Sequence, residues 1–170
     1  MTNLRFPLSI LASLAVLLVA ELLYFYPQLP ETVASHFDAD GVPNGWMSKT
    51  TYTILMVFIM IISAAPTVGV ALFLPKMESA VNIPNRNYWL APERREETLG
   101  LIASTLIWTE CTVIALLVVL TYAVCVMNIE QRPSLDLPMI PTLGIFLGVL
   151  GFLVGRMILR FRTGNESATS

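Results

Sequence analysis

The fold is decided by residues Tyr52 to Leu74, YTILMVFIMIISAAPTVGVALFL, a stretch without a charged side chain. A hydrocarbon core of about 30 Å needs roughly 20 helical residues, so this stretch can cross a bilayer. Three further apolar segments of similar length lie near Phe6–Phe25, Leu99–Met127 and Leu137–Phe161. They lack the alternating polarity of barrel strands. We therefore predict an all-α integral membrane protein with four transmembrane helices in one bundle.

The composition supports a membrane protein. Hydrophobic residues make up 55% of the chain and charged residues 13%, against roughly 25% charged residues in soluble domains. We expect one four-helix transmembrane domain over residues 1–162, with a structured outer loop at 27–50 and a cytoplasmic loop at 75–98. Residues 163–170 are expected to form a short polar tail.

Basic residues are unequally shared between the two predicted sides of the membrane. One side has Lys49 and Arg132, whereas the other has Arg5, Lys76, Arg86, Arg94, Arg95, Arg156, Arg160 and Arg162. The positive-inside rule then places both termini in the cytoplasm. We expect a multi-pass plasma-membrane protein, and the formal net charge of −2 without a basic patch argues against nucleic acid as a partner.

The outer loop contains the stretch HFDADGVPNGWMSK, His36 to Lys49, between the first two spans. Glycine accepts positive φ, proline fixes φ, and tryptophan favours the membrane interface. We expect these residues to shape the loop: Gly41, Pro43, Gly45 and Trp46. The side chains left to contact a ligand or partner are His36, Asp38, Asp40 and Lys49.

Two readings of the acidic residues in this loop stay open. His36, Asp38 and Asp40 can supply ligands to a divalent metal, although the pattern lacks the acid that closes a calcium-binding EF-hand loop. Alternatively, Asp38 and Asn44 form turns by accepting hydrogen bonds from nearby backbone. We favour the structural reading, so no cofactor is expected, with a divalent metal at the outer loop as the alternative.

Two acids lie within predicted spans, where an ionised carboxylate costs a few kcal/mol or more. Glu21 is in the outer part of the first span and Glu110 near the middle of the third. Their predicted depths differ by about 6 Å at 1.5 Å per residue, so both acids can share one polar cavity. They either relay a proton or cation, or each is protonated or paired with polar groups such as Thr105, Thr112 or Arg156.

The fourth span carries glycines on one helical face, at spacings that favour close approach of another helix. They are Gly144, Gly148, Gly151 and Gly155. We favour packing against a helix of the same chain, with a homodimer interface as the alternative.

Two segments together resemble a bacterial membrane family. The first comprises Pro30, His36-Phe37, Gly41, Pro43, Gly45-Trp46 and Lys49. The second comprises Asn82, Pro84, Asn85 and Tyr88-Trp89-Leu90-Ala91-Pro92-Glu93, in which Pro92-Glu93 is typical of a first helical turn. Together they are similar to the family called domain of unknown function 1648. The resemblance implies an integral membrane protein of the bacterial plasma membrane. In some relatives this domain precedes a second membrane domain, in proteins similar to the sporulation-delaying-protein immunity family, which combine immunity with signalling.

The sequence shows no catalytic constellation: it has one histidine, no serine elbow and no phosphate-binding glycine loop. We therefore expect a non-enzymatic membrane protein whose outward loop recognises a peptide, envelope component or partner protein. The alternative is a small transporter, or a transporter subunit, that uses Glu110 and Glu21.

Overall fold

The computed structural model describes residues 4–163, so residues 164–170 of the predicted tail lie outside the described range. Four long helices account for most of it. In chain order the elements are α1 (Arg5–Phe25), β1 (Thr32–Phe37), β2 (Pro43–Ser48), α2 (Lys49–Phe73), α3 (Arg86–Trp89), α4 (Arg95–Ile129) and α5 (Met139–Thr163). The helices α1, α2, α4 and α5 are long and apolar enough to cross a membrane, which confirms the four predicted spans.

The outer loop corrects the all-α prediction, because it forms a β-hairpin. β1 and β2 pair antiparallel, with Ala34 opposite Trp46 and Val33 opposite Met47. The turn residues of this loop were identified, but the strands on either side were not predicted. An Asp-Gly pair between stretches rich in β-branched and aromatic residues is a hairpin signal.

The four long helices do not all pack equally against one another. α4 is central and contacts α1, α2 and α5, whereas α1 and α2 touch each other little. α5 lies at the edge, and its apolar window is not covered by the rest of the described chain. α4 begins at Arg95, after the Pro92-Glu93 turn that was expected to open it.

Two clusters of buried side chains hold the helices together. The first lies at the end of the molecule that carries the hairpin, hereafter the hairpin end, where Val33 of β1 is fully buried with Leu18, Leu22 and Cys125 of the helices. The second lies toward the opposite end and includes Leu74, Leu99, Ile107 and Ile114. Because the hairpin shares a core with α1, α2 and α4, it is fixed to the helices.

The glycine face of α5 does not pack as predicted. A Cβ added to Gly144, Gly148, Gly151 or Gly155 would meet no atom of the described chain within 4 Å. The prediction of close packing against a helix of the same chain is therefore wrong. An apolar helix presents the same residues to lipid as to a neighbouring helix, so the spacing alone did not distinguish the two environments.

Candidate functional site

The hairpin turn is built by Asp38 and Gly41. One carboxylate oxygen of Asp38 accepts hydrogen bonds from the backbone N–H of Asp40 at 3.0 Å and of Val42 at 2.9 Å. Gly41 has φ of +77°, a conformation that L side chains resist. This geometry agrees with the structural reading of Asp38 and with a shaping role of Gly41, and it uses one oxygen of the exposed Asp38 carboxylate.

The two strands approach closely at Gly45. A Cβ at this position would lie 3.0 Å from the Cβ of His36 on the opposite strand, which explains the glycine. His36 itself is exposed, with its Nδ1 3.1 Å from the Ser35 hydroxyl. Pro43 opens β2 opposite Phe37. These contacts agree with the loop-shaping roles predicted for Pro43 and Gly45.

Trp46 is placed differently from the other shaping residues. Its side chain is 61% exposed, so the indole contributes little packing inside the hairpin. Exposed positions alternate along β2 at Asn44, Trp46 and Ser48, while Met47 packs against the core. Trp46 therefore belongs to the outer surface, together with the exposed Asp40 of the turn.

Lys49 is a structural residue and not a free ligand contact. Its ammonium lies 3.0 Å from a carboxylate oxygen of Glu31 and 3.4 Å from the carbonyl of Leu29. It also lies 5.3 Å from the centre of the Tyr26 ring. Its side chain is only 16% exposed. Lys49 thus ties the start of α2 to the segment that leaves α1.

Asn128, which the sequence analysis missed, joins the hairpin to α4. Its side-chain oxygen accepts from the N–H of Ala34 at 2.7 Å, and its side-chain nitrogen donates to the Ala34 carbonyl at 3.0 Å. The same nitrogen donates to the Val124 carbonyl at 2.8 Å. Both Asn128 and Ala34 are buried. The Asn128 side chain therefore makes the two hydrogen bonds to the Ala34 backbone that a third strand beside β1 would make.

A pocket of about 410 Å³ lies between the hairpin and the end of α4. It is lined by Trp46 and Thr32 from the hairpin, Asn128 from α4, and Arg132 beyond α4. Arg132 forms ion pairs with Glu130 at 2.5 Å and Asp136 at 2.9 Å. The hydrogen bond that Arg132 donates to Glu130 raises the pKa of Arg132. This pocket offers an aromatic ring and a fixed cation side by side.

The divalent-metal alternative receives no support from the hairpin geometry. Within residues 4–163, no three His, Cys, Asp or Glu side chains come together in a group able to hold a metal ion. One carboxylate oxygen of Asp38 is engaged by two backbone N–H groups of the turn.

Glu21 lines a groove of about 830 Å³ between α1 and α4. Its Oε2 atom is buried and has no hydrogen-bond partner among residues 4–163. Tyr52 and Cys125, both buried, lie within electrostatic reach of the carboxyl group. Arg132 and Asp136 also line the groove. Glu21 thus lies between a buried polar cluster and an open groove.

Glu110 does not line this groove. The prediction that Glu21 and Glu110 share one cavity is therefore wrong. Glu110 is 4% exposed, and its Oε1 atom has no hydrogen-bond partner. The Thr105 and Thr112 hydroxyls donate to carbonyls of their own helix. Arg156 lines a separate groove between α4 and α5, and no ion pair joins it to Glu110 in the described part of the chain. Among the described residues, none of Thr105, Thr112 and Arg156 is therefore paired with Glu110.

The motif at the end opposite the hairpin anchors α5. Asn85 adopts a left-handed conformation with φ of 52°, and its side chain donates to the Phe161 carbonyl at 3.4 Å. The indole N–H of Trp89 donates to the same carbonyl at 3.0 Å, and its ring packs edge-on against the Phe161 ring. Arg94 lies 3.9 Å above the Tyr88 ring. Of the other motif residues, Asn82 and Pro84 are exposed.

Part of the chain matches a model of a known protein family. Residues 13–62 match the family model described as Domain of unknown function (DUF1648). The matched DUF1648 segment runs from α1 through the whole hairpin into α2, and it confirms the resemblance for that part of the chain. It contains Glu21 and Trp46, whereas Asn128 and the motif at 82–93 lie outside it. No curated protein and no solved structure matched this chain.

Proposed function

We propose that the protein is a non-enzymatic receptor-like membrane protein whose hairpin binds an extended peptide segment of an extracytoplasmic partner. The proposal includes an outward-facing hairpin, both termini in the cytoplasm and a location in a bacterial plasma membrane. The asymmetry of basic residues supports this orientation. An immunity or signalling role would fit such a receptor.

The observation that carries the proposal is the free edge of β2. Opposite residues in an antiparallel ladder alternate between pairs that exchange hydrogen bonds and pairs whose N–H and C=O groups point away from each other. Ala34 directs both groups to Asn128, so its partner Trp46 belongs to the second kind of pair. The N–H and C=O of Trp46 therefore point to the outer edge of β2. An added strand can bond to them there.

The side chains around this edge favour a peptide as the occupant. The Trp46 indole is exposed beside a pocket of about 410 Å³, and Arg132 lines the same pocket. Tryptophan and arginine are the residue types that most often dominate binding at protein interfaces. The edge supplies backbone hydrogen bonds, while the pocket selects a side chain of the bound segment.

The test compares proline substitutions at two neighbouring positions of β2, one whose N–H points to the outer edge and one whose N–H belongs to the ladder with β1. A photo-crosslinking residue at Asn44 should yield a discrete adduct in living cells, whereas the same residue at Ile145 on α5 should not. Trp46→Pro should abolish the adduct because it removes the edge N–H, and proline is tolerated where that group is not part of the ladder. Met47→Pro is the contrasting variant, because it breaks the pair with Val33 and should unfold the hairpin.

An adduct that persists at full yield in Trp46→Pro would rule out strand addition. Equal adducts from Asn44 and Ile145 would show general crowding in the membrane instead of recognition. Thermal unfolding of each purified variant provides the control for folding.

A small transporter remains the second candidate function, and it is supported by Glu21 lining an open groove with an unpartnered oxygen. The structure shifts the emphasis from Glu110 to Glu21, because only Glu21 lines this groove. Proton or cation flux into sealed vesicles should then fall in Glu21→Gln and persist in Glu110→Gln. The absence of flux from the unsubstituted protein would leave recognition as the sole proposal.

A further inference from the structure

The α1–α4 groove has the properties of a binding site and is separate from the edge of β2. Its volume of about 830 Å³ falls in the range of small-molecule sites, roughly 300–1,000 Å³. The walls are apolar and include Leu17 of α1 with Val118 and Val119 of α4. The groove lies in the half of the membrane-spanning region nearer the hairpin end. An occupant must therefore have a large apolar part.

The groove also contains an acid that lacks a counter-charge. Glu21 lines it, and within the part of the chain that the structure describes the buried Oε2 atom of Glu21 has no hydrogen-bond partner. An ionised carboxylate among apolar side chains is costly unless it is paired. The nearby polar groups of Tyr52 and Cys125 are neutral when protonated and carry no positive charge. A cation in the groove would provide the missing partner.

Charged residues of the α4–α5 connection line one end of the groove, hereafter its mouth, and they do not supply that partner. Arg132 lines the groove, but its guanidinium is already paired with both Glu130 and Asp136. These three residues together carry a formal charge of −1. With an ionised Glu21 the groove and its mouth are therefore net negative, which favours a positively charged occupant and disfavours an anionic lipid headgroup.

Aromatic rings along the groove favour the same charge. Tyr24, Phe25 and Tyr122 all line it. Phe25 packs edge-on against both tyrosines, with ring centres 5.0 Å from Tyr24 and 5.8 Å from Tyr122. Tyr24 and Tyr122 are more than half exposed, so their ring surfaces are accessible from the membrane side. Aromatic faces attract cations, most strongly where water is excluded.

We propose that this groove binds a lipophilic cation, a molecule with a permanent positive charge on a large apolar body. The charge lies near Glu21 and the apolar body contacts the walls of α1 and α4. The inference does not depend on peptide recognition by the hairpin. It specifies the class of ligand at Glu21 whether or not that ligand is transported.

The test uses two probes of nearly the same shape and opposite charge. Tetraphenylphosphonium and tetraphenylborate are measured by equilibrium dialysis against the full-length protein in phosphatidylcholine nanodiscs. Empty nanodiscs give the background from partitioning into lipid. We expect saturable binding of tetraphenylphosphonium above this background, at one site per chain, and no saturable binding of tetraphenylborate.

Substitutions then locate the site. Glu21→Gln should weaken tetraphenylphosphonium binding about tenfold or more, which corresponds to at least about 1.4 kcal/mol. Glu110→Gln is the matched control, since it makes the same change at a buried acid outside the groove, and its affinity should be unchanged. Ala20→Trp should block the groove while keeping Glu21, whereas Val16→Trp places the same ring at an exposed position outside it.

Three results would overturn the proposal. Equal saturable binding of both probes would identify an apolar site for lipid chains. Unchanged affinity in Glu21→Gln or in Ala20→Trp would place the cation elsewhere. Absence of saturable tetraphenylphosphonium binding would exclude the site. If Glu21→Gln does not fold, the two tryptophan variants and the two probes still test whether the groove binds a lipophilic cation.

Discussion

Asn128 shows how one side chain can close the edge of a sheet inside a membrane protein. Its amide meets both backbone groups of Ala34, so no polar group of this residue stays unpaired in the core. This contact could not be predicted from the sequence, because the two residues are 94 positions apart. Gly41, by contrast, was predicted, because its conformation is set by its own turn.

We predict that Asn128→Ala lowers the free energy of unfolding by about 2–4 kcal/mol, because the buried N–H and C=O of Ala34 lose their partners. Asn44→Ala is the matched control on the exposed face of the hairpin and should change stability by less than about 0.5 kcal/mol. Thermal or denaturant unfolding in detergent measures both. Equal stability of the two variants would show that water or lipid replaces the hydrogen bonds between Asn128 and Ala34.

At the scale of elements, the four spans were predictable because length and apolar composition suffice to identify a membrane helix. The hairpin was missed because its strands are short and two irregularities interrupt their register between Ala34 and Phe37. The peripheral position of α5 could not be predicted either, since lipid and protein neighbours are equally apolar. Its end opposite the hairpin is held where Asn85 and Trp89 donate to the Phe161 carbonyl.

The open glycine face of α5 leads to a prediction about stability. Gly148→Leu should leave the unfolding temperature of the monomer unchanged within about 2 °C, because a Cβ at this position meets no atom of the described chain within 4 Å. Gly45→Leu should lower it by several degrees, because a side chain there collides with His36. Thermal unfolding at a detergent concentration that keeps the protein monomeric provides the comparison. A marked loss in Gly148→Leu would indicate that α5 packs more closely than described.

At the scale of the whole molecule, the two ends have different chemistry. The hairpin end presents Trp46 and the paired Arg132, whereas the opposite end holds α5 through Phe161 and through an ion pair between Arg160 and Glu97. Recognition of an extracytoplasmic partner requires that the hairpin end face outward. The positive-inside argument predicts this orientation, and the geometry of the fold is compatible with either direction.

Cysteine labelling in intact cells measures the orientation directly. Asp40→Cys introduces a thiol in the exposed hairpin turn, and Ser79→Cys introduces one in the exposed loop at the opposite end. The native Cys111 and Cys125 are buried, so their background should be low. A membrane-impermeant thiol reagent should label Asp40→Cys in intact cells and label Ser79→Cys only after permeabilisation. Labelling of Ser79→Cys with protection of Asp40→Cys would place the hairpin in the cytoplasm and contradict extracytoplasmic recognition.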